Sequence, residues 1–139
     1  MNKTFTLVAA SLVACQSSDP AKLVLPDKTH QQPHWSDAER EQVIAIRRLH
    51  SDADASAFFI RLNGDEQPHY HDHHDLSVTI LSGESTIHFK DHAVAVTPGD
   101  VVFIPSGSYH WAEHTGTAAT VLFAVFSPEF TGKDKRLAD

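Results

Sequence analysis

Residues 68–75 read PHYHDHHD, so four histidines and two aspartates fall within eight positions. His69 and His71 stand two positions apart. Side chains at this spacing on a β-strand point to the same side of the sheet, so both imidazoles can face one metal ion. Because two imidazoles alone hold a transition metal weakly, a third ligand must come from another part of the chain.

The candidate for the third ligand is His110, in the stretch GDVVFIPSGSYHWAEH at positions 99–114. Pro105 and Gly107 precede it and are residues typical of a tight turn. A strand that begins after this turn would carry His110 at its start. The pattern therefore indicates a metal site made by His69, His71 and His110.

Short apolar stretches that are typical of β-strands follow one another through most of the chain. They include LSVTILS, ESTIHF, HAVAVTP, DVVFIP, YHWAEH and ATVLFAVFS, with SG, KD, PGD, PSG and TGT as turns between them. Many short strands at this spacing predict an all-β sandwich or small barrel. Ser36 and Glu39 form a capping-box pattern that predicts a short helical turn over 37–42, and 43–49 is predicted as a strand.

The length and charge of the chain exclude some classes of function. The chain has 139 residues, which is the length of one domain, and 11 Lys+Arg against 18 Asp+Glu. No basic run is available for phosphates, so we expect no nucleic-acid partner. The acidic balance also argues against electrostatic binding to a membrane surface.

The N-terminus has the pattern of an export signal. MNK is positive, and TFTLVAASLVA is an apolar run that is too short to cross a bilayer. The following LVAC, Leu12 to Cys15, resembles the lipobox of bacterial lipoproteins, in which the cysteine is lipidated and becomes the first residue of the mature chain. Cys15 is the only cysteine in the sequence. A plain secretory signal or an ordinary apolar N-terminus is the alternative.

These patterns divide the chain into four parts. Residues 1–14 are the predicted signal peptide, 15–36 a flexible tether, 37–128 the β-barrel and 129–139 a charged tail that is expected to fray. The lipobox resemblance implies an exported protein, held at the bacterial cell envelope only by a lipid on Cys15. Gln16 after that cysteine favours the periplasmic face of the outer membrane over the inner membrane.

Two longer stretches together resemble the cupin family. The first is GDEQPHYHDHHDLSVTILSG at 64–83, and the second is the stretch at 99–114. Gly99, Pro105, Gly107 and His110 match the second cupin motif in type and spacing. The resemblance implies a small jelly-roll barrel (a double-stranded β-helix), a metal held by the three histidines, and a small-molecule substrate or ligand. It also implies association into a homodimer.

The first motif departs from the cupin pattern at one ligand. Leu76 stands where the family has a glutamate, and the nearest carboxylate, Asp75, lies one position earlier. A one-residue offset turns a side chain to the opposite face of a regular strand, whereas a β-bulge could turn it inward. Three arrangements stay open: a three-His site, a site with Asp75 as fourth ligand, and a barrel without metal. His73 is an alternative fourth nitrogen, since it continues the spacing of His69 and His71.

The three predicted histidine ligands limit which metals can bind, but they do not identify the reaction. Imidazoles bind Fe, Zn, Ni, Cu and Mn, so we expect one divalent transition metal of open identity. Three protein ligands leave coordination positions free, which is the layout of a catalytic site. No acid–base residue is clearly placed beside it, so the catalytic residues stay unknown. The chain is therefore either a dioxygenase, isomerase or lyase acting on a small organic molecule, or a non-catalytic protein that binds a metal or small ligand.

Overall fold

Residues 21–139 form twelve short strands and one helical turn, α1 (Asp37–Arg40). The computed structural model describes residues 21–139, so the predictions for the signal peptide and Cys15 lie outside the described residues. The strands are β1 (Leu23–Val24), β2 (His30–Gln31), β3 (Ile44–Ser51), β4 (Ser56–Leu62), β5 (His69–His71), β6 (Asp75–Ser82), β7 (Ser85–Phe89), β8 (Ala93–Val96), β9 (Val101–Ile104), β10 (His110–His114), β11 (Thr120–Ser127) and β12 (Lys135–Leu137).

Ten of these strands form two antiparallel five-stranded sheets. One sheet has the order β3-β4-β11-β6-β9, and the other has the order β12-β5-β10-β7-β8. Neighbours in a sheet are often far apart in sequence, as expected for a jelly roll and unlike a simple meander. The predicted all-β jelly-roll fold is confirmed. Within residues 21–139, no helix is both long enough and apolar enough to cross a bilayer.

The hydrophobic core lies between the inner faces of the two sheets. Strand β6 contributes Leu76, Val78 and Ile80, of which Ile80 is only 1% exposed. They pack in one cluster with inward residues of β11 and of the second sheet, among them Leu122 and Ile87. Because side chains alternate between buried and more exposed along β6 and β11, the register of these two strands is fixed strongly.

The N-terminal part of the described chain lies against the outer face of the first sheet. The capping box is present as predicted, since the Ser36 hydroxyl accepts from the backbone N–H of Glu39 and the Glu39 carboxylate accepts from the N–H of Ser36. Trp35 is 5% exposed and packs with Phe59. Leu23 contacts the same cluster. The tether predicted for 15–36 is therefore docked over its final part, because these apolar side chains cover the sheet.

The C-terminal segment differs from the fraying tail expected for 129–139. Strand β12 pairs antiparallel with β5, the strand that carries the first two histidines. Arg136 helps to hold β12 in place, since its guanidinium donates to both carboxylate oxygens of Asp72, at 2.7 and 2.9 Å. Arg136 of this segment is thus paired with a charge of the barrel.

Candidate metal centre

His69 and His71 lie at the two ends of the three-residue strand β5 and face the inside of the barrel. Their side chains are 2% and 5% exposed, whereas Tyr70 between them is half-buried on the outer face. The ring centroids of the two histidines are 5.0 Å apart. The alternation predicted from their spacing therefore places both imidazoles in one interior space.

His110 joins them because of strand register. Strand β10 pairs with β5 so that His110 lies directly opposite His69, and residues opposite each other in an antiparallel pair share a face. The ring centroid of His110 is 4.4 Å from that of His69 and 5.5 Å from that of His71. Each of the three residues offers one ligand nitrogen, and these nitrogens all lie within 4.8 Å of one another.

The turn before β10 fixes where His110 enters the site. Gly107 adopts φ +76°, which favours glycine, and its N–H donates to the carbonyl of His71 at 2.7 Å. The backbone N–H of Ser106 donates to the Asp75 carboxylate at 2.8 Å. The turn is thus tied both to the end of β5 and to the start of β6, so the two ligand-bearing strands are positioned together.

Asp75 and His73 stand apart from the three histidines. Both residues are exposed to solvent. The carboxylate of Asp75 accepts a hydrogen bond from the turn that precedes His110. Leu76 takes the inward position and is 7% exposed. The offset of one residue from the cupin pattern therefore appears as the change of face that a regular strand dictates. Within the described chain, the metal-binding geometry comprises His69, His71 and His110.

Two of the imidazoles are oriented by backbone carbonyls. The Nδ1 atom of His69 lies 2.7 Å from the carbonyl oxygen of Gln67, and that of His110 lies 2.9 Å from the carbonyl oxygen of Ser108. A carbonyl only accepts hydrogen bonds, so each Nδ1 carries the proton. The lone pair of Nε2 is left for a ligand, as is usual for histidines that bind metals.

Burial keeps the three histidines neutral. It lowers the pKa of His69 from 6.5 to about 4 and that of His71 to about 3, where the neighbouring imidazoles add to the effect. Burial also lowers the pKa of His110. Neutral imidazole is the form that coordinates a metal, because protonation occupies the lone pair. The site is therefore ready to bind a metal at neutral pH.

His71 supports the fit of a metal in a further way. Its Nδ1 atom is buried and has no hydrogen-bond partner among residues 21–139. Buried polar atoms without a hydrogen-bond partner are rare in folded proteins. The rings of Phe126 and Phe130 lie edge-on to the imidazole, with centroids 5.1 and 5.2 Å away. An imidazole held by apolar rings beside two others is more readily explained as a ligand than as a hydrogen-bonded core residue.

The three histidines open into an apolar cavity of about 70 Å³. Its other lining residues are Ile60, Leu62, Glu66, Leu76, Val78, Ile87, Ile104, Trp111, Ala112, Leu122, Ala124 and Phe126. For scale, an engineered apolar cavity of about 150 Å³ holds benzene. The cavity therefore admits a few non-hydrogen atoms of a small molecule beside the histidines.

Glu66 is the acidic residue of this cavity, and the sequence patterns did not single it out. Its backbone N–H donates to the carbonyl of Ala112 at 2.9 Å, and its carboxylate accepts from the N–H of Ala112 at 3.1 Å. Through these bonds Glu66, which precedes the first residue of β5, extends the pairing between the chain around β5 and strand β10. The signal in the sequence was a carboxylate three positions before His69, but only the fold shows that it turns inward.

Comparisons with known proteins agree with this architecture. A family model described as a cupin domain matches residues 57–126. The chain is 35% identical over 99 residues to an uncharacterized protein of Aquifex aeolicus, which covers 69% of this chain and 81% of that relative.

Many solved structures are similar in fold, and two of them serve as examples. KdgF from Halomonas sp. has a TM-score of 0.61 at 23% identity, covering 71% of this chain and 89% of that one. A predicted oxalate decarboxylase from Thermotoga maritima has a TM-score of 0.57 at 26% identity, covering 61% of this chain and 80% of that one. The match with KdgF shows a shared fold, and the fold alone does not fix a reaction.

Proposed function

The chain belongs to the cupin family, and from that premise we propose that it is a metal-dependent enzyme acting on a small organic molecule. The observation that carries the proposal is the meeting of three buried imidazoles in the wall of an apolar cavity. The reaction types that suit this site are those of a dioxygenase, an isomerase or a lyase. The predicted oxalate decarboxylase among the similar structures is named for a lyase reaction.

The protein residues have separable roles in this proposal. His69, His71 and His110 hold one divalent transition metal, which would supply Lewis-acid polarisation or a binding position for oxygen. The carboxylate of Glu66 is held by Ala112 at the cavity wall, where it can orient a hydrogen-bond donor of the substrate. The apolar lining excludes water from the reacting groups, which strengthens the polar interactions that remain.

The alternative function is a protein that binds a metal or small ligand without turnover. The apolar character of the cavity favours catalysis, because a site for exchangeable metal is expected to be polar and open to water. The two functions share the metal site and differ only in what happens to the bound molecule.

The test of catalysis is turnover by the metal-loaded protein. A panel of small organic acids, ketones and sugars is incubated with and without oxygen, and consumption is followed by mass spectrometry. We expect at least one compound to be consumed by the wild type and by His50→Ala, a change at an exposed histidine of β3. The His110→Ala variant is expected to lose this activity. Compounds that bind in the metal-loaded cavity and are all recovered unchanged would contradict the enzyme and support the binding function.

We also propose that the protein is exported and anchored through a lipid on Cys15 at the periplasmic face of the outer membrane. The support is the order of residues at the N-terminus: a positive start, an apolar run and LVAC before the first polar stretch. Residues 21–36 that lead from this segment lie along the outer face of one sheet. None of residues 21–36 is among the lining residues of the metal cavity.

A further inference from the structure

Strand β12 brings a lysine to the edge of the metal site. In its pairing with β5, Lys135 lies opposite His71, Arg136 opposite Tyr70 and Leu137 opposite His69. Residues opposite each other in an antiparallel pair share a face, with Cβ atoms about 4.5–5.5 Å apart. Lys135 and Leu137 therefore lie on the same side of the sheet as the two histidines, at an edge where both are exposed to solvent.

The contacts of the outer face support this register. The guanidinium of Arg136 lies 4.1 Å from the ring centroid of Tyr70, which requires both side chains to be on the outside of the sheet. The residue before Arg136 must then point to the other side. The position of Lys135 on the side of the two histidines therefore follows from an observed contact as well as from the pairing.

The segment is held firmly on both sides of Lys135. Asp134 accepts from the ring of His74 at 2.5 Å and from the backbone N–H of His73 at 3.0 Å. Arg136 is bound by both oxygens of Asp72. The N–H of Ala138 donates to the carbonyl of Pro68 at 2.9 Å. Four neighbours thus fix the backbone that carries Lys135.

Lys135 itself makes no hydrogen bond or ion pair with any residue from 21 to 139, although both of its neighbours do. Its side chain is exposed, and the pairing with β5 places it on the strand face that carries His69 and His71. Over the described residues, the cavity wall contains no lysine or arginine. Among the described residues, Lys135 is therefore an unpaired positive charge next to the strand that carries His69 and His71.

We infer that Lys135 binds the carboxylate of the substrate at the mouth of the three-His cavity. The flexible four-carbon stem of lysine lets its ammonium follow an anion at a rim. The cavity of about 70 Å³ is lined by apolar side chains and by Glu66, so it has little room for a second carboxylate. The substrate class is thus a small monocarboxylate with an apolar body. This inference rests on the proposed function, since it names the substrate class of the same site.

The test uses the full protein loaded with Co(II), whose visible spectrum reports ligand binding, with calorimetry as a second readout. The probes are butanoate, the neutral butanamide and the dicarboxylate succinate. The variants are Lys135→Gln and, as a matched control, Lys133→Gln, an exposed lysine of the same segment outside β12. Cobalt content is measured in every sample.

We expect Lys135→Gln to raise the Kd for butanoate about five- to tenfold and to leave butanamide binding unchanged. Lys133→Gln should leave both unchanged, and succinate should bind the wild type more weakly than butanoate. Equal butanoate affinity in wild type and Lys135→Gln, or no butanoate binding by cobalt-loaded wild type, would overturn the role of Lys135 while leaving the metal site intact. Tighter binding of succinate would overturn the monocarboxylate assignment. Failure of the wild type to load cobalt would overturn the metal site and this inference with it.

Discussion

The imidazoles of His69 and His71 lie among apolar side chains and close to one another, and this environment makes a positive charge on either ring costly. Their pKa values fall to about 4 and about 3 in the folded protein. In the unfolded chain the same rings titrate near 6.5. The folded state therefore binds fewer protons than the unfolded state over the range between these values, and acid favours unfolding.

The change His71→Asn tests this linkage in the metal-free protein. Both folded-state pKa values lie below 5, so lowering the pH from 7.5 to 5 should cost about 2 kcal/mol of unfolding free energy for each such histidine. We expect the loss over this range to be smaller in His71→Asn by about that amount. Urea unfolding at the two pH values, followed by circular dichroism, measures it. An equal pH dependence in both proteins would show that His71 is not held neutral by burial.

At the scale of elements, the C-terminal segment 129–137 is bound to the barrel by a charged histidine. The Nδ1 atom of His74 faces the carboxylate of Asp134 at 2.5 Å, and its Nε2 faces the carbonyl of Glu129 at 2.9 Å. Both partners are acceptors, so both ring nitrogens carry protons and the ring is an imidazolium. The 7% exposed ring thus links two points of the segment that carries β12.

The pH range of this link follows from its two partners. Burial lowers the pKa of His74, but the bonds to Asp134 and Glu129 outweigh it and raise the pKa above 6.5. Burial raises the pKa of Asp134, whereas the bonds from His74 and His73 bring it below 3.8. The contribution of His74 is complete below pH 6.5 and is lost as the pH rises through its folded-state pKa. That of Asp134 is complete above pH 3.8 and is lost as the pH falls through its folded-state pKa.

The change Asp134→Asn is expected to loosen β12, because it removes the charge that His74 faces in a buried setting. Hydrogen exchange at pH 6 should show the amides of 135–137 exchanging at least about tenfold faster than in the wild type. Asp91→Asn, at an exposed turn residue, serves as the control and should leave these rates unchanged. Unaltered exchange in Asp134→Asn would mean that the pairing with β5 alone holds the segment.

The elements that the sequence predicted are those with a clear alternation of side chains. Strand β6, with Leu76, Val78 and Ile80 on one face, is an example, and the spacing of His69 and His71 predicted their shared direction. Strand β12 has no such signal, since KRL consists of two charged residues and one leucine. Contacts distant in sequence hold it: Asp72 binds Arg136 within the strand, and His74 binds Asp134 just before it. Glu66 turns inward for a similar reason, through bonds to Ala112 that depend on the fold. Local patterns predict strands, whereas contacts distant in sequence decide which short segments complete the site.

At the scale of the whole molecule, the proposed lipid on Cys15 would tether the barrel to a membrane. The Cys15→Ser change tests the anchor in cells of a bacterium that processes lipoproteins. We expect the wild type to incorporate labelled palmitate and to enter the detergent phase on phase separation, because a lipid adds a long buried chain. Cys15→Ser should do neither, while Ser17→Ala, two positions on, should behave as the wild type. Labelling that persists in Cys15→Ser would contradict lipidation at this residue.

The central claim is that His69, His71 and His110 bind one transition metal without Asp75. Elemental analysis of the protein purified without a histidine tag tests it most directly, in the wild type, His110→Ala and Asp75→Ala, each checked for its fold by circular dichroism. The account predicts about one metal ion per chain in the wild type and in Asp75→Ala, and loss of metal in His110→Ala. A folded wild type that binds no metal even after reconstitution would contradict the claim, as would a loss in Asp75→Ala equal to that in His110→Ala.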